Sequence, residues 1–419
     1  MVIGLALGAA MQERIETPTL GLHSIEEYRP LVGDETVNRI LAKAAQLQDL
    51  SVVNISSTQY GGGVAEILSP LTLLMNAMGI EMGWRVMEGR PEFFAFTKEL
   101  HNGLQGAPVE ITESKRRAYE QISFENSLRM HLEHDVVIVH DPQPLALAQF
   151  YQRTSPWIWC CHVDLSAPDP GVWNFLKPYM QRYDTAVFSL PEYAQDLRVP
   201  LHFIMPAINP FSMTNKDMAE DEIDQTLRRH GIPTDLPLVV QVSRFDRWKD
   251  PQGVIEACKI ARRATEFTLV LVGSKADDDP EAATVLAAAE ASADARVLVL
   301  SVTDPLLVNA LQRRAAVILQ KSIREGFGLT VSEAMWKGTP VIGGNVGGIR
   351  YQVRDGESGF LVNSIDEAAS RIVTLLQNAD LRRRMGASGR EMVRRKFLLS
   401  RLAEDWIDLI RSMRAATDT

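Results

Sequence analysis

Two glutamates, Glu325 and Glu333, stand with seven residues between them in REGFGLTVSEAMWKGTP, the segment that starts at Arg324. The apolar run Val317–Gln320 ahead of it predicts a strand. Glu325-Gly326-Phe327-Gly328 predicts a tight loop, and the stretch from near Thr330 to Gly338 a helix, with Pro340 just beyond its end. This pattern suits a sugar nucleotide. Glycines let backbone N–H groups approach a phosphate closely, and a helix N-terminus adds partial positive charge toward that anion. Carboxylates flanking the loop can accept hydrogen bonds from hydroxyls, one set on a sugar and one on a ribose. Thr330-x-x-Glu333 also spells a capping box, so Glu333 can be read as a helix cap instead. Glu325 has no comparable structural role in the sequence.

A second constellation follows the apolar run Leu238–Val242, in VVQVSRFDRWKD. Arg244 lies just past the predicted strand end and Lys249 five residues on, before a helix expected from near Pro251. A diphosphate leaving group needs its developing charge stabilised. Arginine offers a planar bidentate fork and lysine a point charge. A plain surface loop would carry the same cations, and Arg247 in that loop is not distinguishable from them by chemistry.

The first half of the chain offers weaker candidates. Tyr60-Gly61-Gly62-Gly63-Val64-Ala65-Glu66 joins a predicted strand to a predicted helix. It lacks the GK[ST] ending of a Walker A loop and the spacing of G-x-G-x-x-G, so its glycines serve either a plain turn or a close backbone approach to a ligand. His140-Asp141-Pro142-Gln143 and Cys161-His162-Val163-Asp164 each end a predicted strand. Asp141 could orient or deprotonate an acceptor hydroxyl and His162 could hydrogen-bond a sugar hydroxyl, although a single strand-end histidine is more often structural. Asp277-Asp278-Asp279-Pro280 reads as a solvated loop before a helix rather than a metal site.

These residues need elements to hold them. The chain repeats a short β-branched run, a turn and an amphipathic stretch. The runs are Ser51–Ser56, Met82–Met87, Asp135–His140, Trp157–His162, Thr185–Leu190 and His202–Met205, then Leu238–Val242, Thr268–Val272, Val297–Leu300, Val317–Gln320, Val341–Gly343 and Phe360–Val362. Strands alternating with helices imply parallel sheets covered on both faces. The expected fold is therefore α/β, with two doubly wound Rossmann-like domains facing a deep cleft. One domain would span 1–208, joined by a C-terminal helix of about 399–419 that crosses back. The other would span 212–398, with the linker in the turn-rich stretch PAINPFSMT. Ligands of such sheets bind at the C-terminal ends of strands, where every candidate above falls.

A length of 419 residues suits two domains, and 46% apolar with 23% charged residues is ordinary for a globular protein. A net charge of −9 argues against a general affinity for nucleic acid or anionic membranes. Cys160, Cys161 and Cys258 have neither disulfide-like nor metal-like spacing and fit buried thiols in a reducing compartment. The apolar run near the N-terminus lacks preceding basic residues and is too short to span a bilayer. A soluble, cytoplasmic protein is expected, binding no nucleic acid or membrane and needing no metal.

Taken together, YGGGVAEIL, LHNGLQG (Leu100–Gly106), VHDPQPLAL, CHVDLSAP, QVSRFDRWKD and SIREGFGLTVSEAMWKGTPVIG resemble the retaining GT-B glycosyltransferases of family 4. Within that family the chain is most similar to the trehalose glycosyltransferring synthases. The stretches run from about Leu50 to Leu361. The glutamate and basic pairs belong to the broad family; VHDPQP and CHVDLS narrow it. The resemblance implies that Arg244 and Lys249 bind the diphosphate, Glu325 the donor glucose and Glu333 the ribose. It implies that the backbone of Gly326, Phe327, Gly328, Leu329 and Thr330 meets the sugar and phosphates, and that His162 lies near the sugar's 6-hydroxyl. Gly62 and Gly63 would close over the cleft, with Asp141, Gln143 and Glu66 on the acceptor side. The implied reaction joins glucose from UDP-, ADP- or GDP-glucose to free glucose, giving α,α-trehalose, reversibly and without a cofactor, in a chain that could form a homodimer. Another acceptor, such as a glycerol derivative or a sugar phosphate, and a non-catalytic nucleotide-sugar binder are the alternatives. No nucleophilic carboxylate is identifiable, so front-face attack is expected.

Overall fold

The computed structural model describes residues 23–58, 63–273 and 280–417. Twelve strands form two six-stranded sheets: β1 (Ser51–Ser56), β2 (Glu81–Val86), β3 (Val136–His140), β4 (Trp157–Cys161), β5 (Thr185–Phe188) and β6 (Leu201–Phe203), then β7 (Leu238–Val242), β8 (Thr268–Gly273), β9 (Val297–Ser301), β10 (Val317–Gln320), β11 (Val341–Gly344) and β12 (Gly359–Val362). The strand orders are β2-β1-β3-β4-β5-β6 and β12-β11-β10-β7-β8-β9, and neighbouring strands pair in parallel. The twelve expected strands are all present. Four end earlier than their apolar runs: β2 at Val86, β6 at Phe203, and β4 and β5 as follows. β4 stops at Cys161 because the His162 N–H turns out of the ladder to the Asp141 carboxylate at 2.8 Å. β5 stops at Phe188, and the chain enters a 3₁₀ turn at Pro191, with the Tyr193 N–H on the Leu190 carbonyl.

Alternate residues of each strand feed opposite cores. Val137 and Val139 pack with Val53, Ile55, Trp157 and Trp159 on one face of the first sheet. Val136 and Ile138 pack with Val52, Ile158 and Cys160 on the other. In the second sheet, Val239, Val317 and Leu319 face one core and Val240 and Ile318 the other. A side-chain period of two, with both faces apolar, is what covering helices demand.

The C-terminal helix, Leu399–Thr417, places Leu402, Trp406, Ile407 and Ile410 in the same core as Val52, Ile138 and Ile158 of the first sheet. Lys43 and Arg39 both pair with Glu404, at 2.8 and 2.7 Å. The two chain crossings run side by side: the Ile208 N–H bonds the Phe397 carbonyl and the Leu399 N–H bonds the Ile208 carbonyl. Arg401 adds hydrogen bonds to the carbonyls of Met205 and Pro206. Among the described residues no helix is long and apolar enough to cross a membrane.

Each sheet reverses its winding once, between β1 and β3 and between β7 and β10. Such switch points open a crevice at the strand C-termini, and they carry the site. Trp406 is buried beneath the first crevice. Trp406→Ala should therefore destabilise the chain by about 3–5 kcal/mol. Urea unfolding followed by circular dichroism measures it, and a loss below about 1 kcal/mol would show that the terminal helix contributes little.

Candidate active site

A cavity of about 560 Å³ lies between the C-terminal strand ends of the two sheets. From the second sheet, the loop after β7 delivers Arg244 and Lys249. The Asp246 carboxylate accepts the N–H groups of Trp248 and Lys249 at 3.0 and 3.2 Å. Asp250, at φ 49°, then caps the helix Pro251–Ala261 through the Gly253 N–H. The Lys249 carbonyl is held by Gln241 at 2.8 Å. Lys249 is thus fixed at the junction of two turns, and its Nζ lies 2.6 Å from Glu325 Oε2. The same oxygen accepts from Gln320 at 3.3 Å and Ser322 at 3.1 Å. Arg244 is half exposed, 3.2 Å from Asp246. Arg247, which the sequence left undistinguished, lies over the Trp248 ring and is not a cavity-lining residue.

The loop after β10 is pinned by the first half of the chain. The Tyr193 hydroxyl lies 2.9 Å from the Glu325 carbonyl and 2.8 Å from that of Gly326. A Cβ on Gly326 would stand 2.6 Å from the His162 carbonyl, so only glycine permits this approach. The following helix is Leu329–Trp336, and its N-cap is Gly328 at φ 85°, with no side-chain cap. The capping-box reading of Glu333 is therefore corrected. Thr330 already lies inside the helix, and Glu333 lines the cavity instead, 3.4 Å from the Gln312 amide. Gly326, Phe327, Gly328, Leu329 and Thr330 all line the cavity.

From the first sheet come His140, Asp141, Gln143 and His162, with Gly63 and Glu66 at the start of the helix Gly63–Ala77. Gly62 lies outside the described residues, as does the run Asp277–Asp279. Asp141, at φ 64°, is committed to the backbone of its own half: its carboxylate takes the His162 N–H and its carbonyl takes Trp159 Nε1 at 3.1 Å. Burial raises its carboxyl above the ordinary range. Gln143 lines the cavity, and its Oε1 is buried without a hydrogen-bond partner among the described residues. Glu66 lines the same cavity as Glu333, with its side chain exposed there. Partial withdrawal from bulk water within the cleft, and then the Glu333 carboxylate, push its pKa up to about 7.

Sequence reasoning missed His101, Lys98, Arg324 and Tyr193. His101, in the helix Pro91–Leu104, bonds Gln105 at 3.2 Å. Burial, then Lys98, Arg244 and Lys249, push its pKa down to about 3, so an uncharged imidazole sits among three cations. Its only advance signal was its place in LHNGLQG. His140, Cys160 and His162 bring ligand-type atoms within 4.8 Å of one another. His140 bonds His162 through Nδ1 and Asn54 through Nε2, so both of its ring nitrogens are already engaged.

Two facing doubly wound sheets with this cleft define a GT-B glycosyltransferase. A sucrose-phosphate synthase from Thermosynechococcus elongatus superposes with a TM-score of 0.70 at 20% identity, covering 88% of this chain and all of that one. A UDP-forming α,α-trehalose-phosphate synthase from Burkholderia vietnamiensis gives 0.68 at 15% identity, covering 88% and 99%. Residues 222–392 match the family model for glycosyl transferases group 1, and residues 54–195 that for the trehalose synthase N-terminal domain. A trehalose synthase of Pyrococcus horikoshii is 42% identical over 416 residues, 96% of this chain and 100% of the relative. One from Rubrobacter xylanophilus is 39% identical, covering 92% and 96%. The chain belongs to the trehalose synthase family and is a hexosyltransferase of trehalose metabolism.

Removing one partner of a buried ion pair strands the other. Lys249→Met and Glu325→Leu should each cost about 3–5 kcal/mol, and the double variant less than either alone. A denaturant-unfolding double-mutant cycle checks this, and additive losses would contradict it. Glu66 supplies a pH test. Unfolded, it titrates near 4.5, and folded near 7. Over that window the folded chain keeps a proton that the unfolded chain has released. Its stabilising contribution is therefore full below the lower value and lost as pH rises through the upper one. Glu66→Gln should gain stability relative to the parent as pH rises from about 5 to about 8, measured by unfolding at each pH. A constant difference would place Glu66 in ordinary solvent.

Proposed function

We propose that the chain is a retaining glucosyltransferase that makes α,α-trehalose from a nucleoside-diphosphate glucose and glucose, and can run in reverse. The observation that carries this is the convergence, on one cavity, of cations and an uncapped helix start from one sheet with hydroxyl-binding groups from the other. In this reading residues 212–398 hold the donor, while residues 1–208, with the terminal helix of about 399–419, hold the acceptor.

Arg244 and Lys249 stabilise the leaving diphosphate, each charge-assisted hydrogen bond contributing about 1.5–3 kcal/mol. Two such bonds, about 3–6 kcal/mol together, can stand in for a metal ion. The N–H groups from Gly326 to Thr330 add to them without reorganising. Glu325, already holding Lys249, accepts from the donor glucose, and Glu333 from the ribose. His162 meets a hydroxyl of the donor sugar. Gln143 and Asp141 line the acceptor side. Because Asp141 is occupied by a backbone N–H, it orients rather than attacks. That favours front-face attack, with the departing phosphate taking the acceptor proton.

The test is nucleoside-diphosphate release with UDP-, ADP- and GDP-glucose against a panel of acceptors, with product identification. Trehalose should form with glucose as acceptor, and Glu325→Gln should lower kcat/KM by at least about 100-fold. Glucose failing with every donor, or trehalose arising from maltose alone without nucleotide, would overturn the reading.

A further inference from the structure

Behind His162 runs a chain of hydrogen bonds that leads away from the cavity. His162 Nε2 lies 3.0 Å from His140 Nδ1, and His140 Nε2 lies 3.0 Å from Asn54 Oδ1. The two rings are nearly parallel, with centroids 5.3 Å apart and an interplanar angle of 17°. Asn54 and His140 are buried, and Trp406 of the terminal helix closes over His140. The direction of this chain is set at its inner end. The Asn54 amide nitrogen donates to the Gly83 carbonyl at 3.4 Å. Turning the amide over would bring two oxygens together there, so Oδ1 is the atom that faces His140.

The rest follows by counting protons. Asn54 Oδ1 can only accept, so His140 carries its proton on Nε2. Its Nδ1 is then a lone pair, and His162 must donate to it from Nε2. A neutral imidazole carries one N–H, so His162 Nδ1 is left as an acceptor. No hydrogen bond reaches that nitrogen among the described residues, and His162 lines the cavity. Cys160 Sγ, 3.5 Å from His162 Nε2, lies on the donating side of the ring. Burial lowers the pKa of both histidines, in keeping with neutral rings.

We propose that Asn54 and His140 are positioning residues that hold His162 in a single tautomer, so that Nδ1 accepts a hydrogen bond from a hydroxyl of the bound sugar. The tautomer stands on the hydrogen-bond geometry; the contact with sugar rests on the function proposed above. The arrangement selects a hydroxyl over a group that cannot donate, because the histidine offers a lone pair and no proton at that point.

The test has two arms. Long-range proton–nitrogen correlation spectra of the full chain labelled with ¹⁵N-histidine, assigned with His140→Gln and His162→Asn, report each tautomer directly. Wild-type His162 and His140 should both be protonated on Nε2, and Asn54→Leu should turn His162 into a mixture. Kinetics with donors in which each glucose hydroxyl in turn is replaced by fluorine form the second arm. The wild type should lose about tenfold in kcat/KM with one of them, the size of one neutral hydrogen bond. Asn54→Leu should shrink that ratio to about threefold or less. A wild-type His162 protonated on Nδ1, or nitrogens shifted by a stoichiometric metal ion, overturns the relay whatever the kinetics show. A fluorine ratio unchanged in Asn54→Leu overturns the role in sugar recognition. Should no nucleotide donor be used at all, the proposed function falls, and the wild-type spectra alone decide the relay. They decide it equally if Asn54→Leu fails to fold.

Discussion

The ion pair between Lys249 and Glu325 joins the loops at the C-terminal ends of β7 and β10, the strands that flank the winding reversal of the second sheet. Both charges are largely withdrawn from water, a costly arrangement unless the remaining hydrogen-bonding capacity is met. It is met here by Gln320 and Ser322 on the carboxylate, and by turns that Asp246 and Asp250 cap ahead of and behind the lysine. Hydrophobic residues of similar volume would serve stability at least as well. What the pair adds is position. It sets a cation and a carboxylate together at the cavity wall, with neither able to drift, and preorganisation of that kind is what stabilises a developing charge at low cost.

From that pair the dependence runs outward. The Glu325 backbone is tied to the first half of the chain through Tyr193, and Gly326 lies against the His162 carbonyl where no side chain would fit. The loop after β10 and the His162 strand end are therefore set against each other directly. Behind His162 the order continues through His140 to Asn54 on β1, and Trp406 of the terminal helix closes over His140. The terminal helix thus has a place in the site although it contributes no lining residue.

Much of this was legible in the sequence. Apolar β-branched runs located all twelve strands, because strands buried on both faces need them. Glycines and a proline framed the loop at Glu325. Arg244 and Lys249 stood out through their place after a strand. What stayed hidden depends on contacts between distant residues. Lys249 and Glu325 are 76 positions apart, His140 and Asn54 are 86 apart, and Tyr193 and Glu325 are 132 apart. Asn54 reads as a lone polar residue in the strand SVVNIS, and His101 as one polar position in an amphipathic helix. Glu333 was ambiguous for a local reason. Its capping box is written in the sequence, but the left-handed Gly328 starts the helix two residues earlier and removes that role.

A crystal structure of the chain with a bound, non-transferable nucleoside-diphosphate glucose tests the site most directly. The diphosphate oxygens should lie within hydrogen-bond distance of Arg244, Lys249 and the N–H groups between Gly326 and Thr330, with the glucose between Glu325 and His162. A nucleotide sugar bound with its phosphates away from the Lys249–Glu325 pair would contradict the assignment of this cleft as the donor site.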